Sequence, residues 1–289
     1  IEGFMDPADA PPSYDPVPPK AGEFILGYEN EYGERPPSPS VPASLDPAGW
    51  LEASREEAGR KDLGHHGTYL VLRKLQQDVR AFNDFIEQHK TLAAHHTPDP
   101  AKQAEWLKSR MMGRWPNGAP LRPGGAGQTA QPPLTEHGIS NAFDFHADPH
   151  GFGCPLTSHT RRANPRDSLP PDRALSLTIS RRHRILRRGI PYGPRYEVDR
   201  EGQERGLVFV TLNANIARQF EFIQQSWMNN EKAAGLYDER DPVTSSVESG
   251  RLTVRQIDLA TLRVPVKRLH KVFAFNVNLF WVRNCADEV

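Results

Sequence analysis

Two segments of the chain pair a strand pattern with a helix pattern that follows it directly, and this pairing strongly constrains the fold. Gly67 to Arg73 is rich in β-branched and aromatic residues, which predicts a strand. Apolar residues then recur 4, 3 and 4 positions apart, which predicts a helix through about His89: Leu75, Val79, Phe82 and Ile86. A second strand is predicted from Leu207 to Thr211, and the helix after it has an apolar face with the same spacing: Ile216, Phe220, Ile223 and Trp227.

Further elements are predicted outside these two segments. Apolar residues alternate from Phe273 to Trp281, which indicates a strand with one apolar face. A helix opens at Asp99 and Pro100 and ends near Gly113. With one more strand predicted around His159, the order becomes β-α-β-β-α-β. The sequence therefore predicts an α+β, ferredoxin-like sheet of the dimeric α+β barrel type, with helices packed on one face.

Residues 1–62 differ from the rest of the chain in their proline content. Eleven prolines lie in this stretch, a density that disfavours helices and central strands. Its apolar run from Gly22 to Tyr28 needs a surface to pack on, which argues against a disordered linker. We therefore expect a long extended arm over residues 1–62 and one ferredoxin-like domain over residues 63–289.

Charge and cysteine content narrow the functional class. The 36 basic and 36 acidic residues give a net charge of zero, which argues against a dedicated nucleic-acid or membrane protein. No apolar run approaches the ~20 residues of a membrane-spanning helix. The two cysteines, Cys154 and Cys285, provide no disulfide framework and favour a reducing compartment such as the cytoplasm. Whether the chain forms a homo-oligomer stays open.

One histidine lies in a segment of turns and arginines between the two strand–helix pairs. His159 is followed closely by Arg161, Arg162 and Arg166. A neutral imidazole is a common metal ligand and is what five-coordinate haem iron needs. Arginines suit two neighbouring tasks, which are pairing with haem propionates and stabilising negative charge as an O–O bond breaks. On composition alone, a lone histidine of this kind is more often an ordinary surface or core residue.

Two motifs carry a more specific signal. The first is Gly151-x-x-Cys-Pro-x-x-x-His159-x-Arg-Arg-x-Asn-Pro-Arg166, and the second is Arg187-Arg-Gly-Ile-Pro-Tyr-Gly-Pro194. In this order they resemble the C-terminal half of dye-decolourising (DyP-type) haem peroxidases. Supporting matches extend from Gly22 to about Trp227, so the resemblance covers most of the chain.

The resemblance implies a haem b cofactor and a role for several residues. His159 corresponds to the proximal ligand of the haem iron, and Arg187 to the distal arginine. Leu207 and Phe209 match positions that wall the distal pocket, although without the resemblance they would be ordinary core residues. Among the arginines after His159, we choose Arg166 as the partner of a propionate. The implied reaction is the reduction of hydrogen peroxide coupled to one-electron oxidation of dyes or phenolic compounds.

A carboxylate that accepts a hydrogen bond from the proximal histidine would make the imidazole more basic. Asp241 is our candidate by its position after the second predicted helix. Because Asp241 precedes a proline, an aspartate that caps a turn is an equally good interpretation.

One departure from the family pattern affects the expected activity. DyP-type peroxidases carry a distal aspartate in a Gly-x-x-Asp-Gly motif, which this sequence lacks. We therefore expect the preceding ferredoxin-like half to be missing and peroxide activation to be slower by about 10²–10⁴, the usual contribution of a general base. Two alternatives stay open, namely a non-catalytic haem-binding or storage protein and a basic, RNA-binding ferredoxin-like module.

Overall fold

A computed structural model describes most of the chain. The described residues are 15, 17–94, 96–121, 143–199, 203–237 and 239–244, together with the backbone of 249–255, 261–267 and 275–283. In chain order the strands in these ranges are β1 (Ser40–Pro42), β2 (Arg60–Asp62), β3 (Gly67–Gln76), β4 (Leu186–Tyr192), β5 (Gly206–Asn213), β6 (Ser249–Arg255), β7 (Thr261–Lys267) and β8 (Phe275–Arg283). The α-helices are α1 (Val79–His89), α2 (Pro100–Met112), α3 (His159–Ala163) and α4 (Arg173–Arg182).

The central sheet has four strands in the order β4-β5-β3-β8, and every neighbouring pair is antiparallel. The first and third of these strands along the chain, β3 and β5, lie in the centre of the sheet. The second and fourth, β4 and β8, form its edges. With helices inserted after β3 and after β5, this is the β-α-β-β-α-β arrangement, and the predicted α+β ferredoxin-like fold is confirmed.

Two sequence predictions about individual elements are wrong. His159 begins helix α3, whereas a strand was predicted around it, and the second strand of the sheet is β4. That strand escaped notice because it is an edge strand with charged, exposed side chains, so its alternation of apolar and polar residues is weak. Leu75 belongs to β3 and not to the following helix. That helix begins at Val79 and is capped by Asp78, whose side chain accepts a hydrogen bond from the Ala81 N–H at 2.8 Å.

Helix α2 begins and ends where the sequence predicts. The Asp99 side chain accepts a hydrogen bond from the Ala101 N–H at 2.9 Å, and Gly113 ends the helix in a left-handed conformation with φ 81°. Its buried face packs against α1 and the loop before α3 to form the main apolar core. Buried members of that core include Trp106, Leu107, Met111, Trp115 and Phe145.

The described part of the N-terminal arm packs against the sheet domain. Leu26 is fully buried, and its backbone exchanges hydrogen bonds with the first residues of β3 through Gly67 and His66. Gly22 is needed where the chain meets itself, since a Cβ there would lie 2.3 Å from the carbonyl oxygen of Tyr28. The domain boundary at residue 62 stays a prediction. Among the described residues, no helix combines the length and apolarity that crossing a membrane requires.

The helix after β5 has π-helical hydrogen bonding over Ala217–Glu221 and Ile223–Met228. We call this segment the π helix. Phe220 and Ile223 are buried on it, as the predicted apolar face requires. π-Helical turns are rare and occur frequently at functional sites.

Candidate active site

His159 is the first residue of α3 and is placed there by a tight turn. The Ser158 N–H donates to the Pro155 carbonyl at 3.0 Å, and the helix starts at the next residue. The His159 side chain is 28% exposed, and its Nδ1 lies 2.9 Å from Oδ2 of Asp241. The structure therefore joins two residues that are 82 positions apart in the chain.

Asp241 is fully buried and uses its two carboxylate oxygens for different tasks. Oδ1 accepts hydrogen bonds from the N–H groups of Val243 and Thr244 at 2.9 and 2.8 Å, which caps the turn after Pro242. Oδ2 faces His159. Both interpretations of Asp241 are thus present in the geometry, because one oxygen closes the turn and the other meets the imidazole.

The electrostatics of the pair favour the ionised carboxylate. Burial raises the pKa of Asp241, but the charge and hydrogen bond of His159 and the backbone donors outweigh it, so this pKa lies below its ordinary value. Burial lowers the pKa of His159, yet Asp241 more than offsets it and the net shift is upward. A carboxylate partner at Nδ1 fixes the proton on that nitrogen. In the neutral ring Nε2 then carries the lone pair, and it has no hydrogen-bond partner among the described residues.

Arg187, Phe209 and Leu207 lie on one face of the sheet. In the β4–β5 ladder Arg187 is opposite Thr211 and Gly189 is opposite Phe209. Leu207 lies two positions before Phe209 on β5. Side chains directly opposite each other, and those two residues apart, point to the same side. Gly189 makes room for the Leu207 side chain on this face, since a Cβ at position 189 would lie only 3.1 Å from Cδ1 of Leu207.

The same face of the sheet is directed towards the π helix and α3. The ring of Phe209 lies 6.3 Å from that of Phe220 on the π helix. Burial lowers the pKa of Arg114 and the positive charge of Arg187 lowers it further, while the same charge opposes the net upward shift of the pKa of His159. An exposed arginine on the sheet and a half-buried imidazole on α3 therefore share one electrostatic environment. This donor set, a histidine nitrogen without a hydrogen-bond partner among the described residues and a cationic group whose charge reaches it, fits a haem.

Arg166 lies in a different environment from Arg187. Its side chain is 3% exposed, its guanidinium stacks on Phe143 with 3.6 Å to the ring centroid, and it donates to the Phe143 carbonyl. Its backbone has φ 56°, in the left-handed region, and its carbonyl accepts from the hydroxyls of Ser176 and Ser180. The geometry shows a residue that joins α4 to the loop before α3. Its contact with a propionate stays a prediction.

The turn that leads into α3 is organised by a buried ion pair. The Asp148 carboxylate accepts hydrogen bonds from the N–H groups of Phe152, Gly153 and Cys154 at 2.7, 3.1 and 2.8 Å. It also lies 3.2 Å from the Arg161 guanidinium, and both side chains are at most 4% exposed. A charge pair of this kind fixes the path of the chain into His159.

Replacing Asp148 with alanine is expected to lower the free energy of unfolding by about 3–5 kcal/mol, because the Arg161 guanidinium would be left buried without its carboxylate. Urea unfolding measures the loss. Asp144→Ala is the matched control, since Asp144 is 38% exposed and 3.7 Å from Arg173, a contact worth about 0–1 kcal/mol. Equal losses for the two variants would contradict the assignment.

Sequence reasoning missed Arg114, and it considered Arg162 only among the arginines that could pair with a haem propionate. Arg114 follows α2 and interacts electrostatically with Arg187. Its place in the Met-Met-Gly-Arg-Trp-Pro run was the sequence signal that could have identified it. Arg162 lies on α3 and is 4% exposed. Its contacts are all to main-chain carbonyls far along the chain, for which no sequence signal exists.

Comparison with known proteins gives the same family as the motifs. No protein-family model matches the chain. Over 175 residues it is 35% identical to the multifunctional dye peroxidase DyP2 of Amycolatopsis sp., an alignment that covers 57% of this chain and 35% of that protein. Over 248 residues it is 29% identical to the dye-decolorizing peroxidase msp1 of Mycetinis scorodonius, covering 80% of this chain and 40% of that protein. The chain therefore spans less than half the length of these relatives.

Solved structures show the same relationship at the level of the fold. A DyP-type peroxidase from Anabaena sp. is 26% identical, with a TM-score of 0.59 over 74% of this chain and 43% of that one. An ancestral D-type dye-decolorizing peroxidase is also 26% identical, with a TM-score of 0.64 over 93% of this chain and 56% of that one. The fold is thus the α+β, ferredoxin-like fold of haem peroxidases of this type. In both sequence and fold the chain is similar to dye-decolourising (DyP-type) peroxidases, a family that implies a haem cofactor.

Proposed function

We propose that this chain is the haem-ligating part of a peroxidase that reduces hydrogen peroxide and oxidises organic substrates such as dyes and phenolic compounds. The observation that carries the proposal is the hydrogen bond between His159 and the buried Asp241, together with the electrostatic influence of Arg187 on His159. The names of the curated relatives, all dye peroxidases or peroxidases, support the reaction class.

Each proposed residue has a distinct task at the cofactor, which we take to be haem b. His159 would hold the iron through Nε2, and Asp241 would hold the proton at Nδ1. Haem, when bound, supplies the redox chemistry of peroxide and of the organic substrate. Leu207 and Phe209 would exclude water from the site, and Arg166 would pair with a propionate.

Arg187 stabilises charge at the peroxide. Its guanidinium would donate hydrogen bonds to the peroxide oxygen that gains negative charge. The Arg187 residue is exposed on edge strand β4.

A simple experiment separates the proposal from its competitors. The purified chain is titrated with haemin, and the haem-loaded chain is then given peroxide and a reducing dye. The proposal predicts a haem spectrum and catalytic loss of dye colour. A spectrum without turnover would favour the haem-storage function. If neither appears, the peroxidase proposal fails, and an RNA-binding function would then have to show itself as salt-sensitive binding without haem.

A further inference from the structure

Arg162 makes an unusual set of contacts for a buried arginine. Its guanidinium donates to the main-chain carbonyls of Trp227, Met228 and Asn230 at 2.8, 3.1 and 3.1 Å, and also to that of Glu239. The residue is 4% exposed, and a cation in such a position is stable only when its donors are well satisfied.

These four carbonyls belong to the two ends of one connection. Trp227 and Met228 close the π helix, where the last carbonyls have no partner within the helix and the helix dipole is negative. Glu239 lies at the other end of the connection, two residues before Asp241. The Asp241 N–H itself donates to the Met228 carbonyl at 2.8 Å. Arg162 therefore connects the end of the π helix to the segment that leads into Asp241.

Helix α3 links this arrangement to the candidate ligand. His159 and Arg162 are three residues apart on α3, so their side chains lie on the same side of the helix. The imidazole meets Oδ2 of Asp241, while the guanidinium donates to the carbonyl of Glu239, two residues before that aspartate, and to the carbonyl of Met228, which also accepts from the Asp241 N–H. Both side chains thus contact the same short segment from one helix.

We propose that Arg162 is a positioning residue that fixes the Asp241 carboxylate against Nδ1 of His159 and so maintains the hydrogen bond between them. The inference rests on the proposed function of His159 as the iron ligand. Lysine cannot replace Arg162 fully, because one ammonium group lacks the planar fork that reaches several carbonyls at once. Methionine fills a similar volume and offers no donor.

The test compares the haem-loaded wild-type chain with Arg162→Met, Asp241→Asn and the double variant. The iron–imidazole stretching band of the ferrous state and the reduction potential of the iron are measured, since both respond to the hydrogen bond at Nδ1. We expect each single variant to lower the band frequency and to raise the potential. In the Asp241→Asn background, Arg162→Met should add no further shift, because its effect acts through that carboxylate.

Arg161→Met is the matched control. Arg161 is equally buried on the same helix, but it holds the turn at Asp148 and does not contact the segment around Asp241. It should lower stability without moving the band. If Arg162→Met leaves the band at its wild-type frequency, or shifts it further in the double variant, the inference is wrong. If Arg162→Met does not fold, Arg162→Lys serves instead, with a smaller shift expected and a wild-type frequency overturning the inference.

Failure of the proposed function would look different. In that case the wild-type chain would show no histidine-ligated haem, and the link between Arg162 and Asp241 would be tested in the chain without haem. Urea unfolding of the same four proteins forms a double-mutant cycle. Non-additive losses support the positioning contact, and additive losses overturn it.

Discussion

Replacing His159 with alanine is expected to abolish stable haem binding. The imidazole is the protein ligand proposed for the iron, and Asp241 cannot substitute for it from its buried position. Loss of a partner behind a metal ligand typically costs 10- to 100-fold in metal affinity, so loss of the ligand itself should exceed about 100-fold. Haemin titration followed by the Soret absorbance measures the change.

Two further variants separate ligand loss from general damage. His150→Ala removes an exposed histidine in the turn before α3, whose ring packs beside Phe152, and should keep haem binding unchanged. His159→Gly leaves a gap at the ligand position, and added imidazole should restore the haem spectrum. Full haem affinity and an unchanged spectrum in His159→Ala would remove this residue from the site.

Replacing Arg187 with alanine is expected to leave haem content near that of the wild-type chain and to slow the reaction with peroxide by about 10²–10³, the usual effect of losing one donor to developing negative charge. The guanidinium is exposed on β4, so its removal should cost the fold little. Stopped-flow mixing of the haem-loaded chain with peroxide gives the second-order rate constant.

Arg188 supplies the matched control for Arg187. It is the next residue on the same edge strand, it is also exposed, and its side chain points to the opposite face of the sheet. Arg188→Ala removes the same charge from the same strand and should change the rate little. An equal loss of rate in the two variants would show that overall charge matters and not the position of Arg187.

The fold was predictable where side-chain alternation and spacing are strong. Strands β3 and β5 and the helices after them follow from their apolar residues, because each element buries one face. β4 was missed because Arg187 and Arg188 lie on an exposed edge strand, where burial does not impose alternation. The strand predicted around His159 was wrong because the turn at Pro155 and the contacts of Asp148 start a helix there, and neither has a periodic signature.

Motifs made the candidate site predictable only for the residues on α3 and β4, namely His159 and Arg187. Asp241 could be chosen by position, but the division of its oxygens between the turn and His159 depends on tertiary contacts. The contacts of Arg162 could not be predicted, since its partners are backbone carbonyls 65 to 77 residues away. The side chains of the C-terminal strand predicted from Phe273 to Trp281 lie outside the described residues, although the backbone of β8 runs from Phe275 to Arg283.

A structure of the haem-loaded chain is the most direct test of the central claim. The account predicts a bond between the iron and Nε2 of His159, with Oδ2 of Asp241 still at hydrogen-bond distance from Nδ1 and Arg187 on the opposite side of the porphyrin. Iron bound to any other side chain, or a porphyrin with His159 and Arg187 on the same side, would contradict it.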